Sequence, residues 1–501
     1  MKINLFLNNK IYTYSFFVSI FLILNFKRLF IPYANLEWTF IELSKFFYDN
    51  SYYYDIILFK KDQANSTFYS WIISNLFYFK NLRNNIEYLH IIVRCLPLIL
   101  LLFIVYKVKN YYLLKNFEKI FFLFFLLFSP FYTVYFFRIY PDINSVLLAL
   151  LSIIYLTERK IFLCLLTYTI SLMLKPVAII IIPLLIFISL NKFIGLNKLY
   201  NKFFNKKSCI IIFKNILYFA IPVIFYFCYI IFFEKNIFDK KIYDLYFNFS
   251  IGNSIGNFLR YLIYFNILTG PILILIIIKV YYKLSFNIIS LCLLSSLIMV
   301  NFLNYSTVGE LNFSYLDKFL NSTALKIANF FFLFLTLLIS YYFLKNNNKL
   351  YRLIYLSYIL IFVICSILIY RPAQRYGLYI YPIYIILISI FLNRFYSKNK
   401  IYLFLMFNFI YFFIINFFQF TNSQNKYLIN EKAASYVINN KLSDFTHPGI
   451  IGGSHGYLFK NYNLSRYESN KYSYYITDFC NEKNLIYFDN LNYKICILKN
   501  F

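Results

Sequence analysis

Arg138 and Asp142 stand four residues apart, with Pro141 beside the acid, in FFRIYPDINSVLLALLSIIYL (residues 136–156), a stretch otherwise dominated by apolar residues. Lys175 interrupts a second such stretch, SLMLKPVAIIIIPLLIF, and Arg371 and Arg375 open a third, RPAQRYGLYIYPIYIIL. Glu37 follows the first apolar run of the chain. Ionisable groups at such places are costly unless paired, hydrated or used. Arg and Lys can hold an anion, bidentately or as point charges, and a carboxylate in reach of a hydroxyl can take its proton. Each residue also has a structural reading. Arg138 fits a side chain that snorkels to headgroups, Asp142 a cap on the helix after Pro141, and Lys175, Arg371 and Arg375 interfacial anchors. The choice depends on the elements that carry these residues and on the side they face.

Those elements are membrane-spanning helices. A 501-residue chain with 61% hydrophobic and 24% aromatic residues is not an ordinary soluble protein. Apolar runs of roughly 16–22 residues recur along it, the length a helix needs to cross a hydrocarbon core of ~30 Å. They lack the alternation of a barrel. The expected fold class is therefore an all-α polytopic membrane protein with about thirteen transmembrane helices. No small-residue cleavage site follows the first run, which is read as a retained helix. The net charge of +29 comes from cations scattered among the loops, which argues against a nucleic-acid partner. The eight cysteines show neither a CxxC pair nor zinc spacing. Unpaired buried thiols are expected, with a Cys480–Cys496 disulfide open if the tail is extracytoplasmic.

With the N-terminus inside, alternate loops are basic: KVKNYYLLKNFEK, TERK, NKFIGLNKLYNKFFNKK, KNNNKLYR and NRFYSKNK. Of the 20 acidic residues only Glu118 and Glu158 fall in those loops. An odd helix count leaves the tail outside. The outer face then carries a long first loop at 31–90, loops at about 234–264 and 304–323, the RPAQRYG turn and the tail, by the same run assignment. Glu37, Arg138, Asp142, Lys175, Arg371 and Arg375 all reach that boundary, so chemistry is expected there.

In the first outer loop, Leu36, Phe40, Leu43, Phe46 and Phe47 recur at helical spacing, and STFYSWIISNLFYF forms a second amphipathic stretch. Arg94 opens the next span as IIVRCLP, one turn inside, where pairing with a carboxylate is expected. This order of features resembles the GT-C superfamily of membrane glycosyltransferases, whose aminoarabinose transferases and protein O-mannosyltransferases use polyprenyl-phosphate-linked sugars. The resemblance extends to RIYPDINSVLLALL, SLMLKPVAIIIIPLLIF and RPAQRYGLYIYPIYIIL. The chain departs from the family in carrying Glu37 where Asp is commoner, and KKDQANS where a Pro pair stands.

The resemblance implies inverting transfer of a sugar from a polyprenyl phosphate to a lipid, glycan or protein acceptor, in a bacterial cytoplasmic (inner) membrane. Glu37 would be the base. Asp142 would orient Arg138, bind sugar or acceptor, or help hold a divalent ion. Arg138, Lys175, Arg371 and Arg375 would bind the donor phosphate. Phosphate leaves without a general acid, so one carboxylate suffices, and the residues themselves require no cofactor. Alternatives from other classes are an O-antigen-type polymerase and a lipid-linked oligosaccharide flippase or transporter. Ten glycines and no evident repeat weigh against a transporter.

Two domains are expected: a transmembrane unit over 1–420 and a small α/β unit over 421–501. In the latter NEKAASYVINNK reads as helix and KNLIYFDNLNYKICILKN as paired strands. GGSHG (452–456) matches a nucleophile elbow, but too little chain follows it for a hydrolase sheet, and a tight turn explains its glycines. His447 and His455 lack a third metal ligand in the sequence around them.

Overall fold

The computed structural model describes residues 10–30, 37–49, 67–84, 86–109, 114–194, 206–233, 250–281, 284–305, 322–345, 374–441, 445–446, 474–477, 486–490 and 493–499, with isolated positions between 355 and 366. Arg371, the 452–456 glycines, His447, His455, Cys480 and most of the 351–370 run lie outside the described residues. Helix dominates. Helix α1 (Lys10–Asn25) ends in a 3-10 turn at Phe26–Phe30. Two helices follow where the first outer loop was read, α2 (Glu37–Asp49) and α3 (Thr67–Ser74). Next come α4 (Lys80–Asn84), α5 (Ile86–Lys109), α6 (Asn116–Phe128), α7 (Pro130–Phe136), α8 (Pro141–Thr157) and α9 (Ile161–Leu174).

Helices α10 (Ile182–Ile194), α11 (Lys206–Phe233), α12 (Ile251–Thr269), α13 (Ile272–Tyr281) and α14 (Phe286–Met299) continue the bundle. It closes with α15 (Ser322–Lys345), α16 (Tyr381–Phe395) and α17 (Lys398–Asn439). Among the described residues, five helices are long and apolar enough to cross a membrane, seven if each of two bent pairs, α6 with α7 and α12 with α13, is one span. Five shorter apolar helices add to them.

Sequence periodicity decides which helices are central. Every residue from Phe117 to Phe128 on α6 is buried, as are all but Leu148 on α8; a helix apolar on every face belongs inside. On α14, by contrast, Phe286, Leu291, Leu294 and Ile298 are exposed and form a lipid-facing surface. Ser145, Ala149 and Ser152 lie at i, i+4 and i+7 on α8, and small residues at such spacing let a neighbouring backbone approach closely. The neighbour is α9.

Two expectations change. Residues 251–264 were read as outer loop, yet α12 starts at Ile251. Gly252, Asn253, Ser254, Gly256 and Asn257 lower the hydropathy there, while the helix they begin packs into the protein, with Gly256 and Asn257 buried. The boundary read at 420/421 falls inside α17, whose 42 residues run on without a break for about 63 Å. Polar residues at 422–426 end the apolar run without ending the helix, because most are tolerated in one.

The far end of α17 packs on a four-stranded sheet of order β1-β2-β4-β3. Its strands are β1 (Phe445–Thr446), β2 (Tyr474–Thr477), β3 (Ile486–Asn490) and β4 (Tyr493–Lys499). β1 pairs parallel with β2, and the other pairs are antiparallel, with Asn490 opposite Tyr493 across a two-residue hairpin loop. Ile429, Ala433 and Val437 form a buried stripe along this part of α17, and Cys496 and Ile497 are buried on β4. Cys496 is disulfide-bonded, the state the sequence had left open for the tail. Cys95, Cys164, Cys228 and Cys292 are free.

Candidate active site

Two X-Pro steps place the charged residues. Pro141 opens α8 and Pro176 opens a 3-10 turn over Pro176–Ile181. A residue before proline is driven out of the helical region. Tyr140 (φ −121°, ψ 140°) and Lys175 (φ −152°, ψ 115°) are accordingly extended, so Lys175 terminates α9 and Asp142 lies in the first turn of α8. Arg375 comes from a 3-10 turn at Gln374–Tyr379.

These three elements are pinned together. The Tyr379 hydroxyl donates to Ser145 Oγ at 2.7 Å. The Ser145 hydroxyl donates to the Ser171 carbonyl at 2.7 Å, and the Ser171 hydroxyl returns the bond to the Ser145 carbonyl at 2.8 Å. The Tyr132 hydroxyl, on α7, donates to the Leu378 carbonyl at 2.8 Å. The clasp fixes the start of α8, the end of α9 and the 374–379 turn at one place.

The two carboxylates at that place differ. Glu37, in the first turn of α2, is 0% exposed. Its Oε2 accepts from an Arg94 Nη2–H at 2.8 Å, and its Oε1 accepts from the Ile139 backbone N–H at 2.8 Å. Arg94 Nη1 donates onward to the Arg28 carbonyl at 3.0 Å. Arg94 thus finds the carboxylate its position called for, and the pair ties α2, α5, the 26–30 turn and the 137–140 turn together. Asp142 is 1% exposed, and neither of its oxygens has a hydrogen-bond partner. Lys175 Nζ and Arg375 Nε stand 3.9 Å and 3.6 Å from its Oδ1, close enough for ion pairs but too far for hydrogen bonds.

Of the roles the resemblance offered Asp142, the orienting of Arg138 has no ion pair behind it among the described contacts. They stand four positions apart, but α7 ends at Phe136 and α8 begins at Pro141, so they do not share a helix face. Its half-buried guanidinium lies 6.0 Å from the centre of the Tyr140 ring. The Tyr140 hydroxyl lies within electrostatic range of Arg138, Glu37, Arg375 and Asp142, so its side chain is central to the group.

Sequence reasoning did not place α3 beside these residues. Tyr69, fully buried, packs edge-on against Phe40 of α2 at 5.5 Å between ring centres, and Phe40 in turn meets Tyr140 at 6.2 Å. The Tyr69 hydroxyl stands opposite the Asn144 side chain. A period-3.6 reading assigns Tyr69 to the buried face of α3, but nothing in the sequence says which part of α8 it meets. Among the described residues no three His, Cys, Asp or Glu side chains gather as metal ligands. A divalent ion at Asp142 would rest on that carboxylate and on substrate oxygens.

The charges add up unevenly. Glu37 pairs with Arg94 and Asp142 with Lys175 and Arg375, while Arg138 adds a further cation beside the Tyr140 ring. Unbalanced positive charge in a secluded site suits an anionic ligand, because buried cations are costly unless paired.

No family model matches the chain, and no curated protein matches it in sequence. Among solved structures it is similar to ArnT from Cupriavidus metallidurans. That crystal structure contains undecaprenyl phosphate, and the match has a TM-score of 0.41 at 13% identity over 76% of this chain. The match spans 60% of the length of that protein.

Proposed function

We propose that this chain is an integral membrane glycosyltransferase that takes a sugar from a polyprenyl-phosphate carrier. The observation that carries the reading is Asp142: a buried carboxylate with both oxygens open, flanked by Lys175 and Arg375 within a surplus of positive charge. The donor class comes from the sequence resemblance to the GT-C superfamily.

The acceptor hydroxyl attacks the anomeric carbon of the sugar as the bond from that carbon to the phosphate oxygen breaks, with inversion. The hydroxyl proton passes to Asp142, and the lipid phosphate leaves with the bonding electrons. Lys175, Arg375 and Arg138 offset the charge that grows on it, with Arg371 a further candidate from the sequence. Glu37 was read as the base from sequence. Both its oxygens already accept hydrogen bonds, so its proposed role is to hold the 137–140 turn and α5 in register with the interfacial helix α2. The acceptor is a hydroxyl of a lipid, glycan or protein.

The site is assigned to the outer face. Basic loops mark the opposite face as cytoplasmic. The Cys496 disulfide suits an oxidising compartment for the tail. The test is sugar transfer in membranes, from a panel of polyprenyl-phosphate sugars, by the wild type, Asp142→Asn and Glu37→Gln at matched expression. Asp142→Asn is expected to lower transfer at least a hundredfold, with Glu37→Gln retaining more. Wild-type rates in Asp142→Asn refute the assignment of the base, and no transfer from any donor refutes the function.

A further inference from the structure

Buried polar atoms in a folded protein almost always find partners, so a cluster that lacks them marks a place where something else binds. Next to Asp142 such a cluster is built from neutral groups. The Tyr69 hydroxyl, the Asn144 amide oxygen and the Asn144 amide nitrogen are all buried without a hydrogen-bond partner. Tyr69 is 1% exposed and Asn144 4%. The two side chains interact across α3 and α8 without well-formed hydrogen-bond geometry, and Tyr69 also lies within electrostatic range of Asp142 and Glu37.

The chemistry of this wall differs from that of the cationic side. A phenol hydroxyl and a carboxamide supply both donors and acceptors and carry no charge. They match a neutral, hydroxyl-bearing ligand, whereas Lys175, Arg375 and Arg138 match an anion. Phe40 packs against Tyr69 and Tyr140 against Phe40, which adds aromatic surface beside this wall.

Resting on the glycosyl-transfer reading, we propose that Asn144 and Tyr69 determine sugar specificity: they hydrogen-bond hydroxyl groups of the transferred sugar while the cations hold its phosphate. Buried polar groups left unpaired by a ligand lacking the matching hydroxyl penalise that ligand, which is how such sites discriminate strongly.

The test separates sugar from phosphate. Binding to the full-length protein in lipid nanodiscs is measured for undecaprenyl phosphate and for its glucosyl, mannosyl, galactosyl and arabinosyl esters. The wild type is expected to bind at least one ester ten times more tightly than the bare phosphate. Tyr69→Phe and Asn144→Leu are each expected to remove that advantage, with affinity for bare undecaprenyl phosphate within twofold of wild type. Retention of bare-phosphate binding shows that a variant is folded. An advantage that survives in both variants overturns the proposal, as does an equal fall for ester and bare phosphate. A wild type that binds bare phosphate but prefers no ester overturns this inference alone. A wild type that binds none of the five overturns the glycosyl-transfer reading as well.

Discussion

Glu37 and Asp142 are both carboxylates beside cations, but their surroundings give them different work. Glu37 shares a buried charge-assisted hydrogen bond with Arg94, and removing either partner leaves the other uncompensated. Such single removals cost about 3–5 kcal/mol, whereas replacing a whole buried pair with apolar residues is often neutral. Glu37→Met and Arg94→Met are therefore each expected to lower the thermal unfolding temperature in detergent, and the double variant to recover much of the loss. Additive losses in that cycle would mean the two side chains are not coupled. Asp142 makes no hydrogen bond but is the charge that faces Lys175 and Arg375, so Asp142→Asn is expected to lower the unfolding temperature as well as transfer, and transfer is therefore compared at equal amounts of folded protein.

At the scale of elements, short polar ties hold helices at the angles the site needs. Losing the Tyr379 hydroxyl breaks its bond to Ser145 and loosens the turn carrying Arg375 from the helix carrying Asp142. Tyr379→Phe is expected to cost about 1–2 kcal/mol of stability and to weaken binding of polyprenyl phosphate, read by thermal unfolding and ligand titration. A second device sits in the 110° bend between α12 and α13. There Gly270 adopts φ +64°, and an added Cβ would lie 2.8 Å from the Tyr411 ring. The Asn408 side chain donates to the Thr269 carbonyl at 2.6 Å and accepts from the Ile272 N–H at 2.9 Å, satisfying backbone groups that the break exposes. Gly270→Ala combines strain with a clash and is expected to destabilise by about 2 kcal/mol or more, seen as reduced yield of folded protein in detergent.

Across the whole molecule, charge is sorted to two ends. Asp142 opens α8 and Glu158 caps its far end, about 24 Å away. At that far end Glu158 pairs with Lys160 at 2.8 Å and Lys107 at 3.8 Å, and Glu118 accepts from the Lys115 N–H and the Asn393 side chain, each at 2.8 Å. The only two acids in the basic loops are thus engaged at the face opposite the site. The disulfide at Cys496 gives a check on orientation. With Cys480 as the partner that the sequence offers, denatured protein alkylated before reduction is expected to hold two protected thiols, and Cys480→Ser to hold none. An epitope placed after Phe501 should be reached by antibody on intact spheroplasts. An epitope reached only after permeabilisation would place the tail in the cytoplasm.

Hydropathy alone determined that the chain is a helical membrane protein, because lipid offers backbone groups no partner and leaves a long apolar run one economical structure. Loop charge supplied the proposed orientation, on the separate ground that Lys and Arg are retained on the cytoplasmic side. The X-Pro steps at Tyr140 and Lys175 were legible too, since proline acts on its immediate neighbour. Partnership was not. Arg94 announced that it needed a carboxylate, but only the packing of α2 against α5 and the 137–140 turn made that carboxylate Glu37 and engaged both of its oxygens. Arg138 and Asp142, neighbours in sequence, were separated by the change of helix between them, and Asp142 met Lys175 and Arg375 instead. Tyr69 and Asn144, 75 positions apart, face each other because α3 lies over the start of α8. Local rules set where a helix begins and which face is apolar. Which polar atoms end up buried without partners is a property of how the helices meet, and only the tertiary structure decides it.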